Sequence, residues 1–184
     1  TNANDILHRT LADNDFSKRD LEATLAPSMD IVVSSNFERL LFDAYERDGN
    51  AVAELLERFQ QEPTALSEAP LEKLREKFAS YSVDDATILE VIREAHHRTH
   101  EILDPHTATG YRAAERARAD AATPMVTLAT AHPAKFADAV VKAGFPGVPL
   151  PPHMDDLLER EERYEVLPAR LEAVQAFVAE HRRR

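Results

Sequence analysis

Apolar residues recur at helical spacing along most of the chain. In "SSNFERLLFDAYERDGN", Phe37, Leu40, Leu41, Ala44 and Tyr45 fall on one face. Ser35 and Glu38 match the S-x-x-E pattern of a capping box and predict the start of that helix. Asp48-Gly49-Asn50 breaks it, and a second stripe follows through Val52, Leu55, Leu56 and Phe59. Pro70 is placed to open another helix carrying Leu71, Leu74 and Phe78. A longer one follows, capped by Asp84 or Asp85, with Ile88, Val91, Ile92 and Ala95 facing a core. Thr107 is a candidate N-cap for a helix to about residue 119. Pro133 and Gly144 frame a helix over 133–143, and "VPLPPH" reads as a rigid connector. Pro168 opens the last helix, with Leu171, Val174, Phe177 and Val178 facing inward and Arg182 to Arg184 at its C-terminal end. "QEPTALSEAPLE" reads as an exposed linker, and no internal repeat is present.

Two stretches depart from this period. Met125–Thr130 is predicted as a strand, apolar on both faces as in a buried parallel sheet, and Asp30–Ser34 as a short second one. One strong strand cannot make a sheet. The expected fold is therefore predominantly helical α/β with an incomplete sheet, its missing strands lying in sequence outside these residues. The first residue, Thr1 rather than Met, and the presence of only four glycines agree with that expectation. Phosphate-cradling loops ordinarily need more glycine.

Composition narrows the classes. In 184 residues, 22 Lys and Arg stand against 33 Asp and Glu, a net charge of −11. Such a surface repels nucleic acid and anionic membranes, so neither is an expected partner. The absence of cysteine removes disulfides and thiolate metal sites. No apolar run has the length of a membrane span, and the expected location is the cytoplasm.

Chemistry-bearing residues cluster at three places. Asn2, Asn4 and Asp5 either cap a first helix or stand at the carboxyl end of a preceding strand, where open α/β sheets bind ligands. Asp104-Pro105-His106-Thr107 is either a structural cap or an anion site with an imidazole and a hydroxyl at a helix start. Thr130 and His132 end the predicted strand where the next helix begins. His96 and His100, at i, i+4, have the spacing to grip a metal, although a solvated polar face is the plainer reading. Lys135 has the place of a Schiff-base lysine but reads better as a surface residue in a first turn.

The motifs "TNANDILHR", "APSMDIVVSSNFERLLFD", "LDPHTATG" and "ATAHPAKF", in that order, resemble the C-terminal part of threonine synthase in its longer microbial and fungal form. The resemblance spans nearly the whole chain. Ala26 stands where the family commonly has Ser, and Thr109 where it commonly has Val. It implies a fold-type II, tryptophan synthase β-like enzyme dependent on pyridoxal 5'-phosphate, whose substrate is O-phosphohomoserine and whose products are threonine and phosphate. It also implies that residues 36–103 are a helical insertion and that Thr130 hydrogen-bonds the cofactor's pyridine nitrogen. Asn2, Asn4, Asp5, His106, Thr107 and His132 are then substrate or site-lining candidates, and His132 either positions Thr130 or approaches the substrate phosphate. None of Lys18, Lys73, Lys77, Lys135 and Lys142 lies in the family's lysine motif, so the isolated chain is expected to be inactive and to bind no cofactor. The expected partner is an N-terminal part, or a second copy paired through the exposed strand. The competing reading is a non-catalytic helical interaction module derived from the same fold.

Overall fold

The computed structural model describes residues 1–182 and divides into two units, Thr1–Val148 and Pro149–Arg184. Arg183 and Arg184, expected beside the last helix terminus, lie outside the described residues. The first unit carries seven α-helices among the described residues: α1 (Ile6–Asp13), α2 (Phe37–Ala44), α3 (Gly49–Gln61), α4 (Glu68–Lys77), α5 (Asp85–Thr99), α6 (Pro105–Ala117) and α7 (Ala137–Lys142). No described helix is long and apolar enough to cross a membrane.

Helices α1 to α4 enclose one core. Leu41, Val52, Leu55, Phe59, Leu71 and Leu74 are buried there with Ile6 and Phe37, in register with the predicted stripes. Phe16, from the loop after α1, stacks on Phe59 with ring centroids 4.4 Å apart. Phe78 leaves its predicted stripe because α4 ends at Lys77 and residue 78 turns extended, 44% exposed. The second core lies between α5, α6 and α7, where Ile88, Val91 and Ile92 are fully buried beside Ala108 and Ala143. Arg93 donates to the carbonyls of Ala143 (3.0 Å) and Lys142 (3.5 Å), a cation placed at the negative end of α7. Gly144, with φ +97°, takes the left-handed position just past that helix.

Helix starts follow local chemistry, with departures from expectation: α4 begins at Glu68, before Pro70, and Pro133 opens a 3-10 turn that leads into α7. Asp84 caps α5 by accepting from the Thr87 N–H at 2.8 Å, and Asp48 caps α3 through the N–H groups of Asn50 and Ala51. The Ser35–Glu38 capping box does not form. Asn36 takes the N-cap position with helical φ and ψ, and Phe37 N–H turns back to the Ser34 carbonyl. A capping side chain needs a non-helical backbone at that position. Asp104, not Thr107, caps α6. The expected linker before α4 is instead pinned down: Leu66 is 4% exposed, and the Asn14 side chain bonds both its N–H (2.9 Å) and its carbonyl (3.0 Å).

Among the described residues there is no strand. The expected α/β character is thus seen only in its helical part. Met125–Thr130 and Asp30–Ser34 carry no ladder, because a strand exists only by pairing with a neighbour. Val126 and Leu128 are 79% and 75% exposed. The segment runs over α6, with the Thr127 methyl 3.6 Å from where a Cβ at Gly110 would stand.

The second unit holds α8 (Leu171–His181) and a 3-10 turn at Pro152–Met154, and none of its described residues is buried. Helix α8 starts after Pro168 rather than at it, since Arg170 is its extended N-cap. Leu171, Val174 and Val178, expected to face inward, are exposed.

Leu41→Ala is expected to destabilise the first unit by about 2–5 kcal/mol, because a fully buried side chain leaves a cavity. Leu21→Ala, at an exposed position, should stay within about 0.5 kcal/mol. Equal shifts in denaturant midpoint for the two variants would contradict this core.

Candidate functional site

The start of α6 is built around one carboxylate. Asp104 is 1% exposed and has an extended backbone, which aims its side chain at the free N–H groups of the first turn. Its Oδ1 accepts from the His106 N–H (2.9 Å) and meets the His106 ring Nδ1 at 2.8 Å. Its Oδ2 accepts from the Thr107 N–H (3.4 Å) and from the Thr107 hydroxyl. Pro105 occupies the first helical position, where a missing N–H costs nothing.

His106 is 8% exposed and links two segments. The backbone N–H of Ser28, in the turn Pro27–Met29, donates to its Nε2 at 3.0 Å. A backbone N–H can only donate, so Nε2 accepts and the ring proton sits on Nδ1, pointed at Asp104. The ring also lies against Phe136, centroids 4.3 Å apart.

Thr107 carries the link onward. The Thr130 N–H donates to its hydroxyl oxygen at 3.1 Å. Residues 107 and 130, predicted from separate motifs, are thereby joined. The Thr130 hydroxyl makes no hydrogen bond among the described residues. Thr130, Ser28, Met29, His106, Val126 and Leu128 are among the residues lining a groove of about 470 Å³. Its lining is mostly apolar, with His106 and Thr130 among its polar residues.

His132 does not position Thr130 by a hydrogen bond among the described residues. Its exposed ring accepts from the Ala134 N–H at 3.2 Å and so caps the 3-10 turn Pro133–Phe136. Lys135 is exposed, with its ammonium 5.4 Å from the Phe136 ring centroid. His96 is not on a solvated face: its ring packs edge-on against Phe145, centroids 4.7 Å apart. His96 and His100 belong to no group of three or more potential metal ligands among the described residues.

Asn2, Asn4 and Asp5 form a separate polar knot. Asn2 is fully buried and donates to Asp30 (2.7 Å), to the Thr24 hydroxyl (2.8 Å) and to the Ala26 carbonyl (3.3 Å). Asn4 donates to Asp30 at 3.0 Å and bonds the Glu22 backbone at both its carbonyl and its N–H. Asp5 is the N-cap residue of α1, but its side chain makes no capping bond and instead pairs with buried Arg9 at 2.7 Å. Burial disfavours the Arg9 charge, and Asp5 and Asp15 more than offset this, raising its pKa. These groups hold the first residues against the stretch ending at Asp30, next in the chain to the Ser28 turn.

Sequence reasoning named Asp104 only as part of the turn before α6, with Thr107 as the cap, and missed Ser28. An Asp two and three residues before N–H donors, with Pro between, is a legible cap. The Ser28 contribution is a backbone N–H, which leaves no trace in residue type.

The family model described as "Threonine synthase, C-terminal" matches residues 107–178. Threonine synthase from Pseudomonas aeruginosa is 51% identical over 183 residues, covering 98% of this chain and 39% of that protein. The chain belongs with the C-terminal regions of the threonine synthase family. The crystal structure of pyridoxal-phosphate-bound threonine synthase from Brucella melitensis matches with a TM-score of 0.83 and 41% identity, over 98% of this chain and 39% of that one. Yeast threonine synthase matches with a TM-score of 0.80 and 33% identity, over 98% and 40%. The chain thus spans about two fifths of the length of these threonine synthases.

Asp104→Ala is expected to destabilise the protein by about 3 kcal/mol or more. It removes a helix cap and strands the buried Thr107 hydroxyl and His106 ring N–H without an acceptor. The check is a denaturant titration; a cost under about 1 kcal/mol would mean that the cap is dispensable.

Proposed function

We propose that this chain is the C-terminal portion of a threonine synthase that uses pyridoxal phosphate to convert O-phosphohomoserine and water to threonine and phosphate. The likeness to the cofactor-bound Brucella enzyme over nearly the whole chain carries this reading. In it, the helices over 36–103 are an insertion, and the segment 125–130 joins a sheet whose other strands come from an N-terminal part. That part also supplies the lysine and the phosphate loop, and the whole protein works in the cytoplasm. Alone, the chain is inactive and binds no cofactor.

The residues present fit one side of the cofactor. The Thr130 hydroxyl is exposed, makes no hydrogen bond among the described residues, and stands on a groove walled by Met29, Val126 and Leu128. Thr130 would hold the pyridine nitrogen. Pyridoxal phosphate, when bound, supplies an electron sink for carbanions of the substrate. A hydroxyl at Thr130 leaves the ring nitrogen largely unprotonated, whereas a carboxylate there would favour its protonation. The hydroxyl therefore moderates the sink, which restrains competing routes such as transamination. His106, Thr107 and the groove wall shape the place where substrate is held. His132, Asn2, Asn4 and Asp5 are further candidates for lining the substrate site of the full-length protein.

Two measurements test this. The full-length protein carrying this sequence should release phosphate and threonine from O-phosphohomoserine, while residues 1–184 alone release neither. In the full-length protein, Thr130→Val should retain cofactor and lose turnover by about 2- to 10-fold, the equivalent of one hydrogen bond. Thr130→Asp should change the cofactor's absorption and raise transamination at the expense of threonine. If both variants match the unsubstituted protein in products and spectrum, Thr130 does not contact the ring.

A further inference from the structure

We infer that Thr107 is a positioning residue for Thr130. Its hydroxyl, oriented by Asp104, fixes the backbone that carries the cofactor-facing side chain. This rests on the reading of Thr130 given above.

A threonine hydroxyl has a single proton. Here that proton goes to Asp104 Oδ2, which as a carboxylate oxygen can only accept. The oxygen lone pairs of Thr107 are then left for one N–H, that of Thr130, at 3.1 Å. Direction in this chain of bonds is set by the carboxylate and cannot reverse. Thr107 itself is 4% exposed and lies in the first turn of a 13-residue helix, so its oxygen is held by both packing and backbone. It is not among the groove-lining residues, whereas Thr130 is. Its route to any bound group runs through Thr130.

The same carboxylate reaches a second groove-lining residue. Asp104 Oδ1 faces the His106 ring Nδ1, and the ring's Nε2 accepts from Ser28. Ser28 and Thr130 both line the groove and are 102 residues apart in sequence (130 less 28). One buried group thus connects two groove-lining residues from distant segments, and Thr107 is the link to Thr130. A side chain at 107 that lacks an acceptor releases Thr130 while leaving every groove-lining side chain unchanged.

The experiment uses the full-length protein carrying this sequence, loaded with pyridoxal phosphate labelled with ¹⁵N in the ring. The ¹⁵N chemical shift reads the hydrogen bond at the ring nitrogen without reference to turnover. Exchange of the Thr130 amide is followed in parallel. Thr107→Val should move the ¹⁵N shift in the direction of Thr130→Val and speed Thr130 amide exchange about fivefold. Thr107→Ser should restore both. Should Thr107→Val fail to fold, Thr107→Ala gives the same comparison without a methyl pressed on Asp104. A ¹⁵N shift moved by Thr130→Val but by neither Thr107→Val nor Thr107→Ala overturns the role of Thr107 and leaves that of Thr130 standing. A shift unmoved by Thr130→Val overturns the reading of Thr130 and this inference with it.

Discussion

The Asp104 carboxylate is the point from which the site is organised. A carboxylate buried to 1% exposure is tolerable only if its oxygens are occupied by donors, and here both are. Two donors are backbone N–H groups that start α6. Two are side chains, His106 and Thr107, whose far sides reach separate segments. One ion therefore terminates a helix, orients an imidazole and aligns a hydroxyl. The helix start is favourable for a negative charge, which reinforces the arrangement.

That arrangement needs a rigid support, and the two cores supply it. Helices α5 and α6 pack through Ile88, Val91, Ile92 and Ala108, so the first turn of α6 is fixed against buried apolar surface. The α1–α4 core lies around different residues and holds no part of the groove. Its bearing on the site is indirect. Arg9 ties α1 to the loop through Asp5 and Asp15, and the adjacent Asn2–Asp30 knot leads into the turn that offers the Ser28 N–H. The polar residues of "TNAND" thus place backbone in this chain.

Helical stripes were legible because burial on a helix face repeats with a period that any 11–18 residues display. The buried set of α2, α3 and α5 matches the apolar positions read from the sequence, and Asp48 and Asp84 cap where short polar residues should. The Ser35–Glu38 box failed because the pattern does not specify the backbone angles of Asn36, which the turn before α2 sets. The "QEPTALSEAPLE" stretch looked solvated, yet it is held by Asn14, more than fifty residues before Leu66 in sequence.

The sequence by itself determined the helices of the first unit, the caps at Asp48 and Asp84 and the family likeness, since each rests on residues close together or on motif order. Only the tertiary structure decided that Thr107 bonds Thr130, that a Ser28 backbone group completes His106, and that His132 is a local cap. The first two contacts join distant segments through backbone N–H groups, which are the same in every residue type except proline. It also decided the fate of Met125–Thr130. Its composition favours a strand, but a strand is a relation between two segments, and the described residues offer no second one.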